Sequence, residues 1–338
     1  MMRLPRFRYR APAELAEACA VLADLGPDAA VLAGGTDLVP NMKRRQQTPG
    51  TVIALRGIAV LHARSLGAHG LALGALTRLA ELERDPEIAA AWPALAGAAG
   101  LVATPPIRNL ATLGGNLCLD TRCSYYDQSH EWRAAIGFCM KKSGDTCWVA
   151  PSSPRCWAVS SSDTAPVLCA LGAEVALVST AGERRIAVSE LFADDGMRHL
   201  TRRGDEILTA IHVPPPAEGE RSVYVKLRRR GSFDFPVLGV AVQARLGRDG
   251  TVEAARIFVG GTGSRPIAAR AACELLIGRR LDEDAIREAA GLIGHIAKPM
   301  QNTDFTLSWR KSVATAYAAR ALRELATGQR GAPAARGA

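Results

Sequence analysis

Five of the eight cysteines lie in one stretch, residues 117–157, which also holds three of the five tryptophans. These cysteines are Cys118, Cys123, Cys139, Cys147 and Cys156. Thiolates gathered in this way are ligands for zinc or for an iron–sulfur cluster. From Cys123 the spacing is C-x15-C-x7-C-x8-C, which lacks the close cysteine pair of zinc fingers and the tight spacings of ferredoxins. Spacing alone predicts a metal site without choosing the metal.

The other residues of this stretch favour an ordered loop. Long loops in compact domains are usually functional or disordered, and enrichment in cysteine and tryptophan argues against disorder. Aromatic side chains can form a dry shell that shields the sulfurs of a redox centre. A loop with a small aromatic core and free thiols is the alternative. His130 is a further candidate ligand, although a surface histidine is the preferred interpretation. Only residues 131–142 within this stretch favour a helix.

Two glycine pairs form the second kind of candidate site. Gly34-Gly35-Thr36-Asp37 follows the apolar segment 29–33, and Gly114-Gly115 follows a segment broken by prolines. Glycine lets backbone N–H groups approach a phosphate closely. Thr112 and Asn116 are the expected side-chain partners. Each turn alone is compatible with an ordinary loop, but together they indicate one dinucleotide site, and neither is a GxGxxG fingerprint.

Three further features carry polar or charged side chains. Asp163 precedes the predicted helix 165–171 as its N-cap, and its carboxylate can also accept from ligand hydroxyls. The basic run from Lys226 to Arg230 is interpreted either as a solvated strand end or as a docking patch for an acidic redox partner. Phe233 and Asp234 are weaker candidates beside the same pocket.

The elements that must position these residues follow from periodicity and turn signals. Helices are predicted over 12–25, 77–84, 86–100, 165–171, 266–277, 282–298 and 308–326. Strands are predicted over 29–33, 51–55, 71–74, 174–179, 184–188, 207–213, 221–228, 237–246 and 251–260. Pro214-Pro215-Pro216 is the best linker signal, and residues 327–338 are predicted to be a disordered tail.

Composition excludes several classes of protein. A net charge of +9 permits binding to nucleic acid, anionic cofactors or acidic partners. The basic residues are mostly dispersed and only 5% of residues are aromatic, so we expect no nucleic-acid binding. No apolar run is long enough to span a bilayer, and the N-terminus does not resemble a secretory signal. We therefore expect a cytoplasmic protein without membrane contact, whose thiols stay reduced.

The glycine turns, the run Ile107–Asn116, Ser162-Asp163 and Lys226 together resemble the FAD-binding subunit of the molybdenum hydroxylases, the xanthine dehydrogenase family. The resemblance covers residues 3 to about 325. Most members lack a cysteine loop. The insertion that begins NLCLDTRC at Asn116 resembles the β subunit of 4-hydroxybenzoyl-CoA reductase, whose loop carries an additional [4Fe-4S] cluster.

This resemblance implies an α+β fold of the molybdenum hydroxylase flavoprotein (PCMH) type. The expected FAD-binding subdomains are residues 1–57 and 58–214, the second with the cluster loop inserted at about 117–157. The expected C-terminal domain, residues 217–326, combines a three-stranded antiparallel sheet with helices.

Matched by position, the resemblance also implies two sets of ligands. The implied FAD contacts are Val31, Leu32, Ala33, Gly34, Gly35, Thr36, Asp37, Val102, Ala111, Thr112, Leu113, Gly114, Gly115, Ser124, Asp163 and Lys226. The implied [4Fe-4S] ligands are Cys123, Cys139, Cys147 and Cys156. Cys118 is expected to be spare, because four thiolates fill the cluster. Lys226 is expected to place a cation near the flavin.

No catalytic dyad or triad is evident, so we expect an electron-transfer subunit of an oxidoreductase. Its implied partners are a large subunit with the molybdenum cofactor, a small subunit with [2Fe-2S] clusters, and a ferredoxin-type donor. The implied reaction of the complex is the reductive dehydroxylation of 4-hydroxybenzoyl-CoA in aromatic degradation. The alternative is the same scaffold in an oxidative molybdenum hydroxylase of the xanthine dehydrogenase or aromatic hydroxylase type. A remote alternative is a zinc-binding module that binds nucleic acid.

Overall fold

The computed structural model describes residues 3–328, which fold around three β-sheets. The first sheet has three parallel strands in the order β1–β3–β2, namely Arg8–Arg10 (β1), Ala29–Leu32 (β2) and Thr51–Ala54 (β3). The central strand β3 is buried along its whole length, as expected for an unbroken apolar run in a parallel sheet. Helix α1 (Leu15–Leu25) packs Ala18, Cys19 and Leu22 into the core of this sheet, and α2 (Leu38–Lys43) follows β2.

The second sheet has five antiparallel strands in the order β4–β5–β8–β6–β7. Its strands are Arg64–Gly67 (β4), Gly70–Gly74 (β5), Glu174–Ser179 (β6), Gly182–Ala187 (β7) and Ile207–Val213 (β8). Between β5 and β6 lie the helices Leu79–Arg84 (α3), Pro86–Ala91 (α4), Pro93–Leu101 (α5), Pro105–Arg108 (α6), Leu113–Leu117 (α7), His130–Ala135 (α8) and Thr164–Ala170 (α9). The largest core joins this sheet to α5 and α9 and includes Ala111 and Leu113 beside the second glycine turn.

The third sheet is antiparallel, with four strands in the order β12–β11–β10–β9. Its strands are Glu220–Leu227 (β9), Leu238–Leu246 (β10), Val252–Gly260 (β11) and Ile267–Ala268 (β12). Helices Arg270–Leu276 (α10), Glu283–Ile296 (α11) and Leu307–Thr327 (α12) cover it. Pro214–Pro216 lies between β8 and β9, at the passage from the second sheet to the third. Within residues 3–328, no helix combines the length and apolarity needed to cross a bilayer.

The predicted mixture of helices with antiparallel sheets is found, but several predicted elements are wrong in detail. The single helix over 86–100 is two helices, because Pro93 starts α5 and its ring is incompatible with a continuing helix. The helix over 266–277 begins only at Arg270, since Ile267–Ala268 pairs with β11 and makes the sheet four-stranded. The helix allowed at 131–142 ends at Ala135, before the positive φ of Gly137. The predicted disordered tail lies, from position 329 onward, outside the described residues.

Candidate functional site

A cleft of about 540 Å³ opens where the two glycine turns meet, and we call it the glycine cleft. Twelve of the sixteen predicted FAD contacts line it: Val31, Ala33, Gly34, Gly35, Thr36, Asp37, Val102, Ala111, Thr112, Gly114, Gly115 and Asp163. These residues come from three separated parts of the chain. The structure therefore brings together most of the residues that the sequence had placed in one dinucleotide site.

The other four predicted FAD contacts do not line the glycine cleft. Leu32 pairs with Ala54 inside the first sheet, and Leu113 is fully buried in the main core. The Ser124 backbone N–H donates to the carbonyl of Asn302 at 2.8 Å, which turns this residue towards the C-terminal part of the chain. Lys226 forms an ion pair with Asp163 and does not itself line the cleft. The roles of these residues as flavin contacts remain predictions.

The close approach of the two turns depends on Gly34. A Cβ added at this residue would lie 1.9 Å from the carbonyl oxygen of Leu110, so no larger residue fits without moving backbone. Gly35 has a φ of +73°, a left-handed conformation that glycine adopts without strain. The second turn is the start of helix α7, not an irregular segment, and the Thr112 hydroxyl accepts from the Gly115 N–H at 3.1 Å.

Asp163 lies in a fully buried polar cluster at the edge of the glycine cleft. Its carboxylate accepts from the Tyr224 hydroxyl and from the Lys226 ammonium, both at 2.8 Å. Burial raises the pKa of Asp163 and lowers the pKa of Lys226, although the pairing of the two charges opposes both shifts. Asp163 occupies the predicted N-cap position of helix α9, but its side chain makes no capping hydrogen bond, and the Ser162 hydroxyl accepts from the Ala165 N–H instead. The Asp163 carboxylate lines the glycine cleft, and the Lys226 ammonium on its other side compensates its negative charge.

The four predicted cluster ligands line one second, small cavity, which we call the cysteine cavity. Cys123, Cys139, Cys147 and Cys156 are all buried, with at most 7% of each residue exposed. All eight cysteines are free thiols. The cavity wall is otherwise mainly aromatic and aliphatic, and includes Tyr126. Cys118, predicted to be spare, lines the glycine cleft, and His130 is exposed with its ring edge-on to Phe138.

Four thiols around one cavity are the donor set that a [4Fe-4S] cluster requires. Among residues 3–328, no group of three or more His, Cys, Asp or Glu side chains is placed to hold one metal ion. A [4Fe-4S] cluster attaches each of four thiolates to a different iron, so its ligands surround a larger volume. The Ala158 N–H points at the sulfur of Cys156 at 3.4 Å, a contact typical of cluster sulfurs. Burial raises the pKa of Cys123 to about 12 and that of Cys156 to about 11, so both thiols must lose a proton to bind metal.

Comparisons with known proteins agree with the geometry of the glycine cleft. Residues 5–216 match the FAD-binding domain of molybdopterin dehydrogenases, and residues 222–325 match the C-terminal domain of the CO dehydrogenase flavoprotein. The chain belongs to the FAD-binding subunits of the molybdenum hydroxylases. The predicted PCMH-type fold is thereby confirmed, as is the prediction of an oxidoreductase subunit that binds FAD.

Its relatives are subunits of dehydrogenases. The medium chain of the carbon monoxide dehydrogenase of Afipia carboxidovorans is 28% identical over 316 residues, which cover 94% of this chain and 95% of that one. The FAD-binding subunit of the aldehyde oxidoreductase of Escherichia coli is 29% identical over 273 residues, 77% of this chain and 81% of that one. Among solved structures, the carbon monoxide dehydrogenase of Hydrogenophaga pseudoflava matches with a TM-score of 0.79 at 27% identity, over 98% of this chain and 100% of that one.

The flavoprotein subunit also uses residues that the sequence did not single out. Arg44, Gln47, Arg122 and Arg202 line the glycine cleft and give it donors and positive charge that suit a diphosphate. Phe233 and Asp234, the weaker candidates, lie in its wall with Phe235. The only signal for Arg122 was its position directly before Cys123.

Residues 123–158 of the flavoprotein subunit form a lobe closed at its base, which we call the cysteine lobe. Arg122 and Val159 exchange two backbone hydrogen bonds, of 2.8 and 2.7 Å, where the chain enters and leaves this lobe. At the same place the Arg122 guanidinium forms an ion pair with Asp37 and lies 4.7 Å from the ring centre of Phe235. The base of the cysteine lobe is therefore part of the wall of the glycine cleft.

Proposed function

We propose that this chain is the FAD- and [4Fe-4S]-carrying electron-transfer subunit of a molybdenum-dependent oxidoreductase complex. The observation that carries the cluster is the gathering of four buried cysteines from a single lobe around one cavity. Several of the relatives are named as FAD-binding subunits, and those names say nothing of a cluster. The cluster therefore rests on the cysteine cavity alone.

In this proposal the first glycine turn, Val31 to Asp37, holds the diphosphate of FAD through backbone N–H groups. The second turn, Ala111 to Gly115, forms the facing wall, because most of its backbone N–H groups already donate to acceptors within the chain. Asp163 accepts hydrogen bonds from hydroxyls of the cofactor. Lys226 keeps that carboxylate charged and oriented, because its ammonium is fixed between Asp163 and the carbonyl of Leu101. Bound FAD supplies the exchange of one or two electrons at a time.

The cluster would be held by Cys123, Cys139, Cys147 and Cys156 as thiolates. Tyr126 and Trp148, which also line the cysteine cavity, exclude water from the sulfurs. A flavin and an iron–sulfur cluster in one chain suit the relay of electrons. The chain would pass them within a complex that also has a molybdenum-cofactor large subunit and a [2Fe-2S] small subunit. We retain residues 1–57, 58–214 and 217–326 as its proposed domains.

The direction of electron flow has two candidate assignments. The relatives named as dehydrogenases of carbon monoxide, nicotinate and caffeine favour the oxidative direction, in which electrons leave through this subunit to an acceptor. The resemblance of the cysteine loop to the β subunit of 4-hydroxybenzoyl-CoA reductase motivates the reductive direction, in which electrons enter from a ferredoxin-type donor. In that case the complex would remove the phenolic hydroxyl of 4-hydroxybenzoyl-CoA.

Anaerobic purification of the complex, followed by absorption spectroscopy and iron and sulfide analysis, tests the cofactors. We expect flavin together with cluster iron in this subunit when it is separated from its partners. Flavin without iron would refute the cluster, and zinc without flavin would favour the zinc-module alternative. Turnover assays then test the direction. Dehydroxylation of 4-hydroxybenzoyl-CoA with a reduced low-potential donor supports the reductive assignment, whereas substrate hydroxylation with an electron acceptor, without that dehydroxylation, supports the oxidative one.

A further inference from the structure

Lys141 is the one charged residue among the described residues that line the cysteine cavity. Its side chain is only 5% exposed. A lysine is rarely buried to this extent, because removing an ammonium from water costs several kcal/mol unless other groups replace the water. Other groups must therefore replace the water around the Lys141 ammonium.

Three oxygen atoms hold the ammonium group of Lys141 in place. The carboxylate of Asp120, the hydroxyl of Thr121 and the backbone carbonyl of Gly196 each accept a hydrogen bond from Nζ at 2.7 Å. A lysine ammonium has three donors, so all three are used and the group cannot turn away from the cavity. The ring of Tyr126 lies 4.9 Å from Nζ and covers it from another side.

The Lys141–Asp120 ion pair has a defined orientation between the two sites. Lys141 lines the cysteine cavity, whereas Asp120 lines the glycine cleft and not the cavity. The positive end of the pair therefore lies on the side of the cavity, and its charge acts on the Cys156 thiol, where it opposes the rise in pKa that burial causes. Asp120 is itself tied to the first glycine turn, because its backbone N–H donates to the carboxylate of Asp37 at 3.1 Å. The cation is thus fixed by the wall that the two sites share.

We propose that Lys141 is a positioning residue that raises the reduction potential of the cluster bound in the cysteine cavity. This inference rests on the proposed function. Reduction transfers one electron from a donor to the cluster without uptake of a proton, so the cluster and its thiolates become more negative by one charge. A fixed cation in a medium of low dielectric constant stabilises that added charge more than it stabilises the oxidised form. Lys141 thereby eases the entry of an electron into the cluster.

The test is a redox titration of the anaerobically purified complex, with the cluster followed by electron paramagnetic resonance. Lys141→Met replaces the cation by a neutral side chain of similar length. We expect a lower midpoint potential of the cluster at wild-type iron and sulfide content. Lys141→Arg keeps the charge and is expected to stay close to the wild type. Lys142→Met is the matched control, since Lys142 is adjacent in sequence but does not line the cavity.

An unchanged potential in Lys141→Met with full iron content would overturn the inference and leave the proposed cluster intact. An equal shift in Lys142→Met would also overturn it, because the effect would then be one of overall charge. A wild-type subunit without iron would refute the proposed cluster and this inference together. If Lys141→Met loses its iron, the deciding variant is Asp120→Asn. This change removes the negative partner of Lys141, so the midpoint potential of the cluster should rise. No rise in Asp120→Asn would then refute the role of Lys141.

Discussion

Arg122 forms an ion pair with Asp37, and through this contact the residue that precedes the first cluster cysteine holds the first glycine turn. Burial raises the pKa of Asp37, whereas the guanidinium of Arg122 opposes that shift. Asp37 also accepts from the Asp120 backbone N–H and the Asn41 side chain. Asp37, which the sequence had suggested as a flavin contact, thus links the first glycine turn to the base of the cysteine lobe.

Asp37→Asn is expected to destabilise the chain and to weaken FAD binding. The variant leaves the Arg122 side chain, which is 10% exposed, without its closest counter-charge, and loss of one partner of a buried pair costs up to about 3 kcal/mol. Thermal unfolding and FAD titration measure the effect. Asp284→Asn is the control, because the Asp284–Arg287 pair is 72% exposed on both sides and should contribute little. Unchanged unfolding and FAD affinity in Asp37→Asn would contradict the role of this junction.

Gly34→Ala is expected to separate the two glycine turns. Its Cβ would lie 1.9 Å from the Leu110 carbonyl oxygen, and forcing backbone apart in a packed region costs about 1–3 kcal/mol. The purified variant should retain less flavin than the wild type, measured by absorbance after gel filtration. Gly291→Ala in helix α11 is the control, because nothing lies within 4 Å of the added Cβ. Full flavin content in Gly34→Ala would count against the close contact of the turns.

Serine replacement of each of the four cavity cysteines is expected to lower the iron and sulfide content. Each residue lines the cysteine cavity, and a hydroxyl is a poorer ligand for iron than a thiolate. Cys118→Ser is expected to retain iron, because Cys118 lines the glycine cleft instead. Cys273→Ser is a second control outside both sites. Iron loss in Cys118→Ser equal to that in Cys123→Ser would refute the assignment of ligands.

Asp163 and Lys226 are expected to be strongly coupled in a double-mutant cycle. Their side chains are 3% and 1% exposed, so Lys226→Met leaves a buried carboxylate uncompensated at a cost of about 3–5 kcal/mol. The double variant Asp163→Asn/Lys226→Met should recover part of that loss, measured by urea unfolding of the chain without FAD. Additive effects of the two single changes would show that the ion pair contributes no specific stability.

His199 is expected to make stability fall as the pH is lowered below its ordinary pKa of 6.5. Burial and the charge of Lys141 lower the pKa of this histidine in the folded chain, and Asp120 opposes the shift. The unfolded chain then binds the proton at a higher pH, so stability is present above 6.5 and is lost as the pH falls towards the folded pKa, by up to about 1.4 kcal/mol per pH unit. His199→Gln should flatten the profile of Tm between about pH 5.5 and 8. A profile as steep as that of the wild type would contradict the assignment. His212 keeps some residual slope, since burial lowers its pKa too.

The parts of the sites that the sequence predicted are those with a local chemical signature. Two glycines in a turn, or four cysteines in one loop, are recognisable without knowledge of the fold. Arg122 and Lys141 carry no such mark, because they are two among 42 lysines and arginines, and their roles depend on which oxygen atoms the fold brings to them. Lys226 shows the same limit, since its pairing with Asp163 is set by the packing of β9 against helix α5 and of helix α9 against β10 and β11.

The secondary structure shows the same division. Strands β6 and β8 lie where alternation and apolar runs predicted them, at Glu174–Ser179 and Ile207–Val213. The extended pair Ile267–Ala268 was predicted as helix because its conformation is imposed by pairing with β11, which local propensity does not register. The alanine-rich segments on both sides of Pro93 have high helix propensity, which predicts one continuous helix. The structure has two helices there, because α5 begins at Pro93.

The two hydrogen bonds between Arg122 and Val159 have an evolutionary consequence. Because they bring the entry and exit of the cysteine lobe to adjacent positions, a short turn could join those positions and leave the order of the surrounding strands unchanged. A lineage of flavoproteins can therefore gain or lose such a lobe in a single insertion or deletion at this stem. The same stem offers protein engineers a natural position at which to transplant the module into a relative that lacks it.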